Sequence, residues 1–131
     1  MENTYFISGH LDLTPTEFEQ HYVNRIDNAR QEGSHFVIGD ARGADTLAQK
    51  YLLKYENVTI YHMFTKPRNN KGKWKTVGGF TNDNDRDVEM TKNSTKDILW
   101  IRSAEQQKKI LGSKYDPNYL SGTAKNMLRR T

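Results

Sequence analysis

The order of its apolar segments predicts an α/β protein, a Rossmann-like three-layer sandwich with a mainly parallel sheet of four to five strands. Three observations carry this expectation. Strand-sized apolar runs alternate with helical stripes in the order β-α-β-α-β, the connections between them are short, and the runs stop at glycine-containing turns. Such alternation calls for parallel strands joined by crossovers, with helices covering the sheet.

Each element has its own local reason. Thr4 to Ser8 is a β-rich apolar run that stops at Gly9-His10. Thr14-Pro15-Thr16-Glu17 is a capping box with proline at the first helical position, and Phe18, Tyr22, Ile26 and Ala29 continue it as one amphipathic stripe up to Gly33. His35 to Ile38 reads as a second strand, broken by Gly39. Ala44, Leu47, Ala48, Tyr51, Leu52 and Tyr55 repeat at helical spacing, and Val58 to Phe64 gives a third strand. Residues 65–83, with Pro67, three glycines and five basic residues, read as a long polar loop holding Trp74 and Phe80. Loops of that length in a compact domain are usually functional or disordered. Beyond it come a helix near Asn84–Lys92, a strand over Asp97–Arg102, a helix over Ala104–Leu111 and a last helix opening at Ser121-Gly122-Thr123.

The 131 residues suit a single domain over 1–131, without internal repeats. An apolar share of 34% and a charged share of 27% point to a compact core with polar loops. No run approaches the ~20 apolar residues of a membrane span, and the N-terminus carries no secretory signal. Cysteine is absent, so disulfides and thiolate metal sites are excluded and a cytoplasmic protein is expected. The net charge of +4 concentrates in Lys66, Arg68, Lys71, Lys73 and Lys75 and in Lys125, Arg129 and Arg130. Solvated charge and a nucleic-acid surface explain that clustering equally well.

In open α/β sheets, ligands bind where strand C-termini meet helix N-termini. Three segments fall at such places. Gly39-Asp40-Ala41-Arg42-Gly43-Ala44-Asp45 combines glycines that permit close approach, a helix start that attracts anions, an arginine suited to phosphate, and an aspartate able to cap or to accept from a ribose hydroxyl. An ordinary tight turn with a surface Arg and an N-cap Asp accounts for the same residues. Ser8-Gly9-His10-Leu11-Asp12 offers a hydroxyl, a glycine, an imidazole and a carboxylate; Ser121-Gly122-Thr123 offers Thr123 as N-cap or phosphate ligand. The four histidines (10, 21, 35 and 62) are scattered, so neither metal nor cofactor is expected, and Asn82 to Asp87 read as a polar helix start rather than a calcium loop.

The strand-Ser-Gly-His opening, the Gly39–Asp45 loop and Ser121-Gly122-Thr123-Ala124-Lys125-Asn126 resemble the SLOG superfamily of Rossmann-like domains, which includes the LOG phosphoribohydrolases, DprA and stand-alone bacterial and phage proteins of YspA type. The resemblance spans roughly residues 4–55 and 82–130. It implies a nucleotide or nucleotide-derived ligand with phosphate on the glycine loops. By position it implies a pocket of Ser8, Gly9, Gly39, Ala41, Arg42, Gly43, Asp45, Gly122 and Thr123, with Arg86 matching an arginine before the last strand. Two departures stand out: Asp40 replaces a usual glycine, and the LOG Pro-Gly-Gly-x-Gly-Thr signature with its catalytic Glu is missing.

Three readings follow. The first is binding of a nucleotide-type ligand through Ser8, Gly9, Gly39, Asp40, Ala41, Arg42, Gly43, Arg86, Ser121, Gly122 and Thr123. The second is an enzyme cleaving a nucleotide N-glycosidic bond, with Asp12, Asp45 and His10 as catalytic candidates and Glu17 as the weakest, since the capping box uses it. The third is nucleic-acid binding by the 66–75 loop with Trp74 and Phe80 as stacking platforms, against which stands the same loop as a lid over the ligand. Tyr115 and Tyr119 suggest self-association. Arg42→Ala and Gly43→Val are both expected to abolish ligand stabilisation and leave the fold intact.

Overall fold

The computed structural model describes residues 3–130. Its elements are β1 (Thr4–Ile7), α1 (Pro15–His21), α2 (Val23–Gln31), β2 (His35–Gly39), α3 (Ala44–Tyr51), β3 (Val58–Met63), β4 (Lys75–Phe80), α4 (Asp83–Lys92), β5 (Lys96–Ile98), α5 (Ala104–Leu111) and α6 (Gly122–Arg130), with a 3-10 turn at Gly112–Lys114. The five strands form one sheet in the order β4-β3-β2-β1-β5, and every pairing is parallel. The fold is the Rossmann-like three-layer sandwich that the alternation predicts.

Alternating side chains divide the strands between two cores. Ile7, Phe36, Ile38, Val58, Ile60 and Ile98 meet Phe18, Ile26 and Ala48 from α1, α2 and α3, with Tyr22 between the first two helices and Leu52 at the end of the third. On the opposite face Phe6, Val37 and Tyr61 meet Met90 of α4, and α6 packs on α4 and β5. Each large residue fully removed from water contributes about 1.5–3 kcal/mol, so the first, larger core carries most of the stability. By contrast, α5 buries no residue at all.

The chain departs from its sequence pattern in three places. The first helical stripe is interrupted at Tyr22, whose backbone leaves helical geometry (φ −121°, ψ −41°). The last strand ends at Ile98, short of Arg102, because the backbone beyond it is drawn to other partners: Trp100 N donates to Tyr22 Oη and Arg102 N to His10 Nε2. Residues 65–83 are not one loop, since Lys75–Phe80 pairs with β3 as the sheet's edge strand. An edge strand needs little apolar pattern, and here only Val77 and Phe80 are half-buried.

Nor does the rest of that segment hang free. The Gln49 side chain is buried and donates to the Gly39 and Asn69 carbonyls, while its Oε1 accepts from Lys71 N. Arg68 grips Asp40 through both backbone N–H and guanidinium, each at 2.8 Å. Trp74 packs against the larger core and donates to the Tyr55 carbonyl at 2.7 Å. Its indole is therefore committed to the fold and is no open stacking platform, whereas Lys66, Lys71, Lys73 and Lys75 stay exposed.

Candidate functional site

The chain builds the sheet outward from β1 through β2 and β3 to β4, then returns to lay β5 on the other side of β1. Such a reversal opens a crevice beyond the strand C-termini. A cleft of about 500 Å³ lies there, lined by the loops after β1 and β2, the start of α4, Gln107 and Leu111 of α5, Tyr119, and the first turns of α6.

Most of the expected residues meet in this cleft: Ser8, Gly9, His10 and Asp12; Gly39, Ala41, Arg42 and Asp45; Arg86; and Ser121, Gly122 and Thr123. Asp40 and Gly43 are not among its lining residues. Asp40 turns its carboxylate away to Arg68 and to Arg86 Nη1, 3.2 Å distant. Burial alone would raise its pKa, but the hydrogen bonds from Arg68 and the charges of Arg68 and Arg86 prevail and hold it below the usual range. Gly43 has φ +73°, and a Cβ there would stand 2.3 Å from the His10 carbonyl oxygen and 2.4 Å from that of Leu11. Its requirement for glycine is thus a backbone crossing between two loops. A Gly43→Val change would disturb folding as well as binding, against the sequence expectation.

The start of α3 has no side-chain cap; its first N–H, from Ala44, donates to the His10 carbonyl at 3.1 Å. Asp45 does not cap it, accepting instead from Ala41 N through Oδ2 at 3.1 Å. The helix starts do not all offer free donors. Thr14 caps α1, Asn82 caps α4, and the Ser121 hydroxyl, rather than that of Thr123, accepts from Ala124 N at the start of α6.

Two features give the cleft an unfinished character. The Ser8 hydroxyl is buried in its wall without a hydrogen-bond partner among the described residues, as is Gln107 Oε1. A buried polar atom left unpaired costs about 1–3 kcal/mol. Arg42, at the rim, is exposed and forms no ion pair among the described residues.

The floor is acidic around one buried cation. Arg86 reaches Asp87 at 3.2 Å through Nε, and Asp40 and Asp83 at 3.2 and 3.4 Å through Nη1. Asp87 also accepts from Asn126 Nδ2 at 3.1 Å. Burial raises the pKa of Asp87. Burial pushes Asp45 up to about 7, with the Asp87 and Asp40 charges acting in the same direction and Arg86 and the Ala41 N–H against it. At neutral pH Asp45 therefore divides between acid and carboxylate, the condition a general acid needs.

His10 stands differently. Its Nε2 accepts from Arg102 N at 3.0 Å, which leaves the proton on Nδ1. Burial, with the Arg102 charge, lowers its pKa against the opposing charges of Asp12 and Glu17. Asp12 and Glu17 are joined by Arg102, with Nη1 and Nη2 each 2.7 Å from a carboxylate oxygen. The Arg102 bond and the capping box hold Glu17 at about 2. Among the described residues no group of histidine and acidic side chains is arranged to hold a metal ion. His35 and His62 instead bond to Thr59 Oγ1 and the Met63 carbonyl.

Several cleft residues escaped the sequence reading. Gln107 lines the cavity but belongs to no local motif, and Asp83, Asp87, Tyr119 and Asn126 line it although their sequence context assigned them other uses or none in the pocket, while Arg102 and Tyr22 set its geometry from behind. The one available signal was spacing: Arg102 is a lone cation ending an apolar run, and Tyr22 sits in a stripe that otherwise reads as core.

No helix among the described residues is long and apolar enough to cross a membrane. No protein-family model, curated protein or solved structure matches the chain.

Proposed function

We propose that the protein binds a nucleotide or nucleotide-derived ligand in this cleft. The phosphate would lie over the Ser8-Gly9 turn and the Gly39–Arg42 loop under the Arg42 guanidinium, with the sugar against Asp45 and Asp87. The observation that carries this reading is the buried Ser8 hydroxyl, without a partner among the described residues, in the wall of a cleft also lined by Arg42, which forms no ion pair among the described residues. Unpaired donors and a guanidinium suit an anion, while carboxylates suit sugar hydroxyls.

Thermal-shift titration with nucleoside mono- and diphosphates, ADP-ribose and NAD-type dinucleotides tests the proposal. Arg42→Ala is expected to weaken the shift about tenfold or more, the scale of a lost charge-assisted bond. Ser8→Ala removes an orphaned hydroxyl, so it should leave unliganded stability unchanged or higher while weakening the ligand. Equal stabilisation of both variants and the unaltered protein would overturn the reading.

A second reading, cleavage of a nucleotide N-glycosidic bond, gains from Asp45 alone. A carboxyl held near pH 7 at the cleft floor suits protonation of a leaving base. Release of free base from a nucleotide panel, abolished by Asp45→Asn, is its expected result; binding without base release excludes it.

A further inference from the structure

Beside the cleft lies a second cavity of about 440 Å³, walled by Ile101, Leu111, Tyr115, Pro117, Tyr119 and Leu120. The two spaces meet, since His10, Gln107 and Ser121 line both. Their chemistry differs. The first is ringed by carboxylates, arginines and backbone, whereas the second is mainly carbon. Arg102, Lys114 and Asp116 also border the second, the Arg102 guanidinium being spent on Asp12 and Glu17.

At the junction the side chain of Gln107 leaves Oε1 buried and unpaired among the described residues. The residue is brought there by α5, whose start is fixed by a capping box: Ser103 Oγ accepts from Gln106 N, and Gln106 Oε1 accepts from Ser103 N. The neighbouring His10 ring has its Nε2 occupied by Arg102 N, so it supplies no proton from that atom. The junction therefore presents an acceptor that lacks a donor, at the mouth of an aromatic- and aliphatic-walled space.

We infer that this side pocket seats the aromatic base of the ligand whose phosphate end occupies the cleft, and that Gln107 Oε1 accepts a hydrogen bond from an N–H of that base. This rests on the nucleotide reading above and adds the base to it. A flat heterocycle has what the pocket lacks: an apolar face for Tyr119 and Leu111, and an edge N–H for the buried oxygen. A bare sugar phosphate would leave both unmet.

Three probes test it by calorimetric titration: adenosine 5′-monophosphate, purine riboside 5′-monophosphate, which lacks the amino group and any ring N–H, and ribose 5-phosphate. The expected order is adenosine monophosphate tightest by about tenfold over the purine analogue, from one hydrogen bond to a buried acceptor, with ribose 5-phosphate weaker again. Gln107→Met, on a helix with no buried residue, should bring the first two together and leave the third unchanged. If ribose 5-phosphate binds as tightly as adenosine monophosphate, the pocket takes no base and the inference fails while the phosphate site stands. A change at Gln107 that alters all three alike also defeats it. If none of the three binds, the nucleotide reading falls and takes this inference with it.

Discussion

The Tyr22 hydroxyl donates to the Ser8 carbonyl at 2.7 Å. The Tyr22 hydroxyl oxygen also accepts from Trp100 N at 3.1 Å, so one buried phenol ties the end of β1 to the chain just beyond β5. A Cβ at Gly9 would lie 2.2 Å from that oxygen, which explains why glycine follows Ser8. Tyr22→Phe leaves a carbonyl and an N–H unpaired in a dry site. We expect a loss of about 1–3 kcal/mol in urea unfolding, with weaker ligand binding because Ser8 is no longer held. Unaltered stability would show that the bridge is dispensable.

Asp45 makes stability fall with rising pH. Burial pushes its carboxyl up to about 7 in the folded chain from the ordinary aspartate value of 3.8, so the folded state holds the extra proton between those limits. Its contribution is complete below pH 3.8 and disappears as pH rises through 7. Asp45→Asn keeps an acceptor for Ala41 N and should flatten the pH 4–7 limb of the stability profile, an effect on the order of a few kcal/mol. Glu17 acts in the opposite sense. Its stabilisation is present above 4.5 and is lost as pH falls toward about 2, which separates the two groups by window. An Asp45→Asn profile parallel to that of the unaltered protein would contradict the assignment.

Asp40 holds the segment between β3 and β4. With its side chain buried and bonded to Arg68 twice, Asp40→Ala strands Arg68 N and removes a partner of Arg86. Loss of one member of a buried pair costs about 3–5 kcal/mol, and exposure of Arg68 puts this case toward the lower end. The sensitive readout is limited trypsin digestion. Cleavage at Arg68, Lys71 and Lys73 should accelerate before global unfolding does; unchanged cleavage would mean that Gln49 suffices to hold the segment.

Gly43→Ala is expected to destabilise by more than Gly33→Ala, although both glycines have φ +73°. Nothing lies within 4 Å of a Cβ at Gly33, whereas a Cβ at Gly43 meets two carbonyls. The first change costs about 1 kcal/mol of backbone strain; the second adds a displacement of the β1–α1 loop. Equal costs in chemical denaturation would refute the crossing as the reason for glycine.

The sequence was most legible where one residue type has one use. The apolar runs gave β1, β2 and β3, the capping box at Thr14 formed as read, and Ala104–Leu111 is a helix over those residues. The loops at 8–12 and 39–45 and the turn at 121–123 do converge, because parallel topology sends every strand end to one edge. Side-chain direction was not legible. Asp40 and Asp45 are both acidic loop residues, yet one turns to Arg68 and the other to the cleft, a choice made by partners distant in sequence. β4 was hidden because an edge strand with Gly78 and Gly79 carries almost no alternation. The break at Tyr22 was hidden because a core tyrosine and a bridging tyrosine look alike in a helical stripe.

Because β1 is flanked by the second strand and the last, the N-terminal residues acquire their second neighbour only when the far end of the chain arrives. A growing polypeptide would have four strands in hand and still display a bare backbone edge on β1. The same late arrivals, α4 and α6, provide the opposite bank of the crevice. Shielding of that edge and competence to hold a ligand thus both wait for the C-terminal part of the chain, β5 covering the edge before α6 completes the crevice.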